Sequence, residues 1–235
     1  MIESFNDENP RMTVAQVSQH TQIPRSAARR HLLSLCHFGF AQTDGKLFWL
    51  TPRILRLGQS YLESARLPRL VQPYLQHLSK VCGETANVSV LDGQEVVYIS
   101  RSNSPRVVSI GFHAGARAPA HTVAPGYVLL SRLNESDLQD WVATHHFTTF
   151  TPQALRDPTV FVETVREARQ REYWITQGQL DSGLVGVAAP LLDRQGRCVA
   201  AMGMTLQVSN WPHALIEEKL VPILQSTAQS LRTVL

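Results

Sequence analysis

The chain is poor in the residues that cross-link proteins or span membranes. Its 235 residues include only three cysteines, Cys36, Cys82 and Cys198. They are scattered, odd in number and set within apolar patterns, which excludes a disulfide scaffold and a cysteine-ligated metal site and predicts reduced core thiols. No window approaches the roughly 18 uninterrupted apolar residues of a membrane-spanning helix. The opening MIESFNDENPRM lacks the basic start and apolar run of a secretion signal, so a cytosolic location is expected. Aromatic residues make up 7% and charged residues 17%, against 43% hydrophobic, an ordinary globular balance that buries a core in one large or two smaller domains. Motifs that carry reactions are also missing. There is no G-x-S-x-G elbow, G-x-x-x-x-G-K-[ST] loop, G-x-G-x-x-G turn or H-E-x-x-H pair, and the scattered Ser and His residues assemble no nucleophile and base. An enzyme is therefore not expected, and no cofactor is implied.

What is present is concentrated between Thr13 and Leu50. TVAQVSQHT offers Thr13 as an N-cap for a short helix with Val14, Ala15 and Val17 on its apolar side. After QIP, a second helix is predicted from about Pro24 to Phe38, with Pro in its first turn and Gly39 at its end. Its apolar stripe is Ala28, His31, Leu32, Leu35 and Cys36. The opposite face carries Arg25, Ser26, Arg29 and Arg30, residue types that reach phosphates and guanine edges from a helix in a major groove. FAQTDGKLFWL then reads as a hairpin turning at Asp44-Gly45, with Lys46 at its tip. Helix, turn, helix and hairpin in this order predict a winged helix-turn-helix.

Charge divides the chain in the same way. Residues 1–66 hold eight Lys and Arg against five Asp and Glu, whereas residues 67–235 hold fourteen of each. The excess positive charge lies wholly in the small N-terminal segment, as attraction to phosphate requires.

Residues 50–65 predict a linker helix, and Leu67, Leu70, Val71, Tyr74, Leu75, Leu78 and Cys82 form a longer helical stripe ending at Gly83. NVSVLDGQEVVYISRS predicts a β-hairpin across Asp92-Gly93, and Arg106–Gly111 a third strand. Helices are expected near Gly126–Leu133, Ser136–His145 and Pro158–Arg171. Strands are expected at Tyr173–Gln177, Gly183–Leu192 and Cys198–Leu206, followed by a closing helix over Pro212–Leu235. Strands that neighbour in sequence pair antiparallel, so an α+β fold with helices on the faces of an antiparallel sheet follows.

Five segments, RMTVAQVSQHTQIPRSAARRHLLSL, DGKLFWLTPRILRLGQSYL, LVQPYLQHLS, ANVSVLDGQEVVYISR and GVAAPLLDRQGRCVAAMGMT, carry a resemblance over nearly the whole chain. They are similar to the IclR family of bacterial transcription regulators, and within it to the group controlling protocatechuate and 4-hydroxybenzoate catabolism. The resemblance implies a winged helix-turn-helix at 1–51, a linker helix at 52–66 and a GAF-like effector domain at 67–235. It further implies double-stranded operator DNA and a small-molecule effector, such as an aromatic acid, as partners, with self-association to dimers or tetramers. In such proteins a complete helix precedes the segment matching MIESF. Here only its last turn is present, so either the start lies upstream of Met1, which is the expectation, or that helix is lost. Relatives often carry Arg or Lys where Tyr127 stands and an acidic residue where Thr176 stands, which implies a less charged pocket here.

The resemblance places the effector at Thr122, Val123, Ala124, Thr176, Gly186, Gly203 and Thr205. Small residues leave room, and three threonine hydroxyls can hold a polar group. The competing reading makes Gly186 and Gly203 simple bulge glycines. Arg101 is a candidate mate for an anionic ligand, as are Arg106, His113 and His121. His145-His146 reads as a helix C-terminal cap. Two alternatives to a DNA-binding regulator stay open at this point: a ligand-sensing module without DNA binding, and a small-molecule enzyme.

Overall fold

The computed structural model describes residues 1–104 and 112–235 and divides into two compact units, Met1–Ser64 and Ala65–Leu235. The predicted third strand at residues 106–111 lies outside the described residues.

In the first unit, strand β1 (Met12–Thr13) leads into α1 (Val14–Thr21). Thr13 caps α1 with a reciprocal pair of bonds: Gln16 N donates to Thr13 Oγ1 at 3.3 Å, and Thr13 N donates to Gln16 Oε1 at 2.8 Å. Helix α2 (Arg25–His37) follows, and Gly39, at φ +77°, reverses the chain after it. The strands β2 (Ala41–Thr43) and β3 (Leu47–Leu50) form the wing, with sheet order β1-β3-β2. Its turn is held by the Asp44 carboxylate, which accepts from Lys46 N at 2.9 Å and Leu47 N at 2.7 Å. Met12, Val17, Ala28, Leu32 and Phe48 fill the small core. His31 does not join them. It lies at the edge of the α2 stripe and is exposed beside Met1 and Leu35, so its imidazole stays hydrated. The segment expected as one linker helix is a 3-10 turn, Pro52–Ile54, running into α3 (Leu55–Ser64), which buries no residue.

The second unit begins with α4 (Arg66–Cys82), ended by Gly83 at φ +71°. A hairpin follows, of β4 (Thr85–Asp92) and β5 (Glu95–Ser102), then β6 (Arg117–Pro119). The helices α5 (Ala124–Leu130), α6 (Glu135–Thr144) and α7 (Pro158–Arg171) precede β7 (Trp174–Gln177), β8 (Leu184–Leu192) and β9 (Cys198–Gln207). All pairs in the six-stranded sheet are antiparallel, in the order β6-β5-β4-β9-β8-β7.

The expected closing helix is interrupted. A short α8 (His213–Leu215) passes through a π turn at Ile216–Leu220 into α9 (Val221–Leu231). Pro222 explains the interruption: it has no N–H to donate, and its ring crowds the carbonyl four residues back, which the wider turn relieves.

Because strand side chains alternate, the sheet sorts its residues by face. Val88, Ile99, Val185, Val187, Met202, Met204 and Leu206 pack with α4 and α9 in the larger core. The other face meets α5 and α7 through Val96, Tyr98, Ala188 and Ala201. The three cysteines are free and half-buried rather than fully enclosed.

Candidate functional site

The basic residues nominated on the first unit all reach solvent. Arg25, Ser26, Arg29 and Arg30 are exposed on α2, while Ala28 and Leu32 of the same helix are fully buried. Arg25 and Arg29 stand one turn apart. Lys46 is exposed at the wing tip, and Arg11, which was not nominated, lies with its guanidinium 4.4 Å from the centre of the Trp49 ring on β3. The unit thus presents a cationic helix face and a basic wing, a pairing suited to phosphate and base edges.

In the second unit a cleft lies over the sheet beside the start of α5. Thr122, Val123, Ala124, Thr176, Gly186, Gly203 and Thr205 all line it. Sheet register brings them together. Gly186 sits between Thr176 on β7 and Thr205 on β9, and Gly203 between Ala188 on β8 and Asn87 on β4. The two glycines are tightly packed as well as cleft-lining. A Cβ on Gly186 would come 3.1 Å from Thr176 Oγ1, and one on Gly203 would come 2.8 Å from the Val187 carbonyl. Gly126 admits no side chain at all, since a Cβ there would fall 1.9 Å from the Ala120 carbonyl oxygen; this close approach sets α5 against the turn that carries Thr122.

The charged candidates sit elsewhere. Arg101 lies directly opposite Asn87 on β5, on the face of the sheet that carries the cleft, but is not one of the cleft's lining residues. Burial pulls its guanidinium below the ordinary value. His113 is exposed, and Arg106 lies outside the described residues. His121 is fully buried and does not line the cleft. Its Nε2 lies 2.9 Å from the Thr148 carbonyl, and its Nδ1 lies 2.7 Å from His145 Nε2.

His145 is the C-cap of α6, as expected, its N–H donating to the Val142 carbonyl at 3.2 Å, but its side chain has a different role. His145 stacks on Trp141 at 4.2 Å and bonds Gln94, and burial together with His121 and His146 pushes its imidazole down to about 4. A ring held neutral cannot offer a cation to the helix end. What it does is tie the turn at His121, next to cleft residue Thr122, to the end of α6.

Tyr127 is also no wall of the cleft. Fully buried against Phe161 and Trp174, it donates to Gln179 Oε1 at 2.9 Å and so holds a residue that does line the cleft. Burial raises its phenol well above the ordinary range. Asn87, Tyr98, Phe112, Gln179 and Asp181 line the cleft without having been singled out from sequence. Tyr98 and Phe112 stack at 4.5 Å and 14°, giving the cleft an aromatic wall. The one usable sequence signal was the alternation in ANVSV, where polar Asn87 and Ser89 interrupt an otherwise apolar strand. The pattern reads equally well as a solvent face.

A winged, cationic head and a separate sheet unit with an aromatic-walled, hydroxyl-lined cleft define a ligand-responsive DNA-binding regulator. The bacterial transcriptional regulator IclR C-terminal domain matches residues 59–233, and the IclR helix-turn-helix domain matches residues 1–45. The chain belongs to the IclR family of bacterial transcriptional regulators; it is a regulator and not an enzyme. It is 36% identical to the p-hydroxybenzoate hydroxylase transcriptional activator of Acinetobacter baylyi, across 99% of this chain and 88% of that protein. It is 31% identical to the Pca regulon regulatory protein of Pseudomonas putida, across 98% of this chain and 80% of that one. The inducer-binding domain of the Acinetobacter PobR transcription factor, a double mutant in complex with 3-hydroxybenzoic acid, superposes with a TM-score of 0.69 at 32% identity, covering 73% of this chain and all of that domain. Among the described residues no helix is long and apolar enough to cross a membrane.

Proposed function

We propose that this protein controls an aromatic-catabolism operon from the cytoplasm, reading operator DNA with α2 and the wing and binding a hydroxylated aromatic acid in the cleft. The DNA contacts are assigned to Arg25, Ser26, Arg29, Arg30 and Lys46. The effector contacts are assigned to Thr122, Val123, Ala124, Thr176, Gly186, Gly203 and Thr205, with Arg101 as the nearby cation. The winged helix-turn-helix is taken as residues 1–51, the linker as 52–66 and the effector domain as 67–235. A single winged helix covers too few bases to find one operator in a genome, so the acting species is a homodimer or tetramer on a two-fold site.

The cleft carries this proposal. Seven of the eight nominated residues, all but Arg101, line one opening beside the stacked Tyr98 and Phe112, a shape and chemistry that fit a hydroxylated ring. The relationship to an inducer domain that holds 3-hydroxybenzoic acid supports it. The test is a thermal-shift panel of hydroxybenzoates, protocatechuate and aliphatic keto acids on the full chain, since a ligand bound only by the folded state raises the unfolding temperature. Aromatic hits abolished by Gly186→Leu are expected. Hits confined to aliphatic acids, or indifferent to that substitution, overturn the assignment.

A further inference from the structure

One polar atom at the cleft is left over by the packing. Asn87 is only 3% exposed, and its Nδ2 donates to Thr205 Oγ1 at 3.4 Å, but among the described residues its Oδ1 has no donor. A buried carbonyl oxygen normally has a donor, and a lone exception at a binding cleft points to one that arrives from outside. The oxygen itself has almost no exposed area, but it stands at the cleft wall: Asn87 lines the cleft, and across the strands on β9 it faces Gly203, which has no side chain to satisfy it. Ser89 on the same strand also has a buried oxygen without a partner, but it does not reach the cleft.

We propose that Asn87 determines the specificity of the effector site: its Oδ1 accepts a hydrogen bond from a donor on the ligand's ring, a hydroxyl or an amine, so that the cleft selects donor-bearing aromatic acids over equally sized acids without one. This rests on the effector assignment above and adds a chemical rule to it. The Thr205 hydroxyl, which accepts from Asn87 Nδ2 at 3.4 Å, takes up the other end of the amide and leaves the oxygen for the ligand.

The experiment is calorimetric titration of the full chain with 4-hydroxybenzoate, 4-aminobenzoate, 4-methoxybenzoate, 4-fluorobenzoate and benzoate, and with the 3-substituted series. The fluoro compound is smaller than the hydroxy compound and the methoxy compound larger, so steric fit cannot mimic the pattern. Hydroxy and amino acids of at least one series bind about tenfold or more tightly than their fluoro and methoxy counterparts, the effect of one hydrogen bond made to an otherwise unsatisfied acceptor. Asn87→Leu, which keeps the branched shape but has no acceptor, binds all members alike. If the fluoro or methoxy acids bind within about twofold of the hydroxy acids, or if the preference survives Asn87→Leu, Asn87 is not the reader, while the effector assignment stands. If no ring acid binds, the effector assignment fails and this proposal with it. Should Asn87→Leu not fold, Asn87→Ala, which also removes the oxygen and fills less space, takes its place, and a preference that survives it overturns the proposal.

Discussion

The two faces of the six-stranded sheet are built from the same strands and do opposite work. On one, Val88, Val187, Met202, Met204 and Leu206 interdigitate with α4 and α9, all at most 1% exposed. On the other, the same strands present Asn87, Gly186, Gly203 and Thr205, residues too small to fill the space above them. A side-chain period of two lets one strand supply both: apolar bulk at every second position closes a core, while small and polar residues at the positions between leave a cleft. Helix α2 makes the same division with a period of 3.6, burying Ala28 and Leu32 and exposing Arg25 and Arg29. Core packing and the proposed contacts are thus separated by face within single elements.

The sharpest test of that separation is on β9. Met202→Ala removes a fully buried side chain from the filled face and should destabilise the protein by about 2–5 kcal/mol in denaturant unfolding, while leaving the cleft's ligand preferences unchanged. On α2, Arg29→Ala should weaken binding to specific operator DNA by about 1–3 kcal/mol with the unfolding midpoint unmoved; electrophoretic mobility shift at several salt concentrations measures it, and unaltered site preference would place the DNA face elsewhere.

The histidine pair behind the cleft predicts a pH effect. Because His145 is held down at about 4 when folded, against an ordinary 6.5, the unfolded chain takes up a proton that the folded site refuses. Stability is therefore full above about pH 6.5 and declines as pH falls toward 4, by on the order of 1 kcal/mol once the ring's partial exposure is discounted. Urea midpoints compared at pH 7.5 and 5 should show the decline. His145→Phe, which retains a ring to stack on Trp141, should flatten it. The smallest effect is expected on the cleft face of β9, where Thr205→Val loses only the acceptor for Asn87 Nδ2 and should cost about 1 kcal/mol or less. A cost matching that of Met202→Ala would mean that the two faces are not energetically distinct.

Much of this organisation was legible before folding because it is local. The Thr13 cap, the Gly39 and Gly83 reversals, the Asp44-Gly45 wing turn and the β4–β5 hairpin each depend on residues a few positions apart, and each formed as expected. The helix face bearing Arg25 and Arg29 follows from periodicity alone. Where the sequence pattern misled, the cause was a neighbour far along the chain or a local conflict that periodicity does not register. His145 caps α6 as its pattern suggests, but its tie to His121, 2.7 Å away, is not written there, and Tyr127 reads as a pocket wall until its hydroxyl donates to Gln179. The closing helix reads as continuous until Pro222 forces the π turn.

The sequence by itself determined the elements, their order and which side of each is apolar, because hydrogen bonding within a helix and alternation along a strand act over short separations. Only the tertiary structure decided that the polar side of β4 faces a cleft rather than water. Strand register aligns Asn87 with Gly203 and Thr176 with Gly186 and Thr205, and α5, seated by the close approach of Gly126 to Ala120, bounds the space above them. Register and layer packing are set by the summed burial of residues more than a hundred positions apart, and no pattern within one strand encodes them.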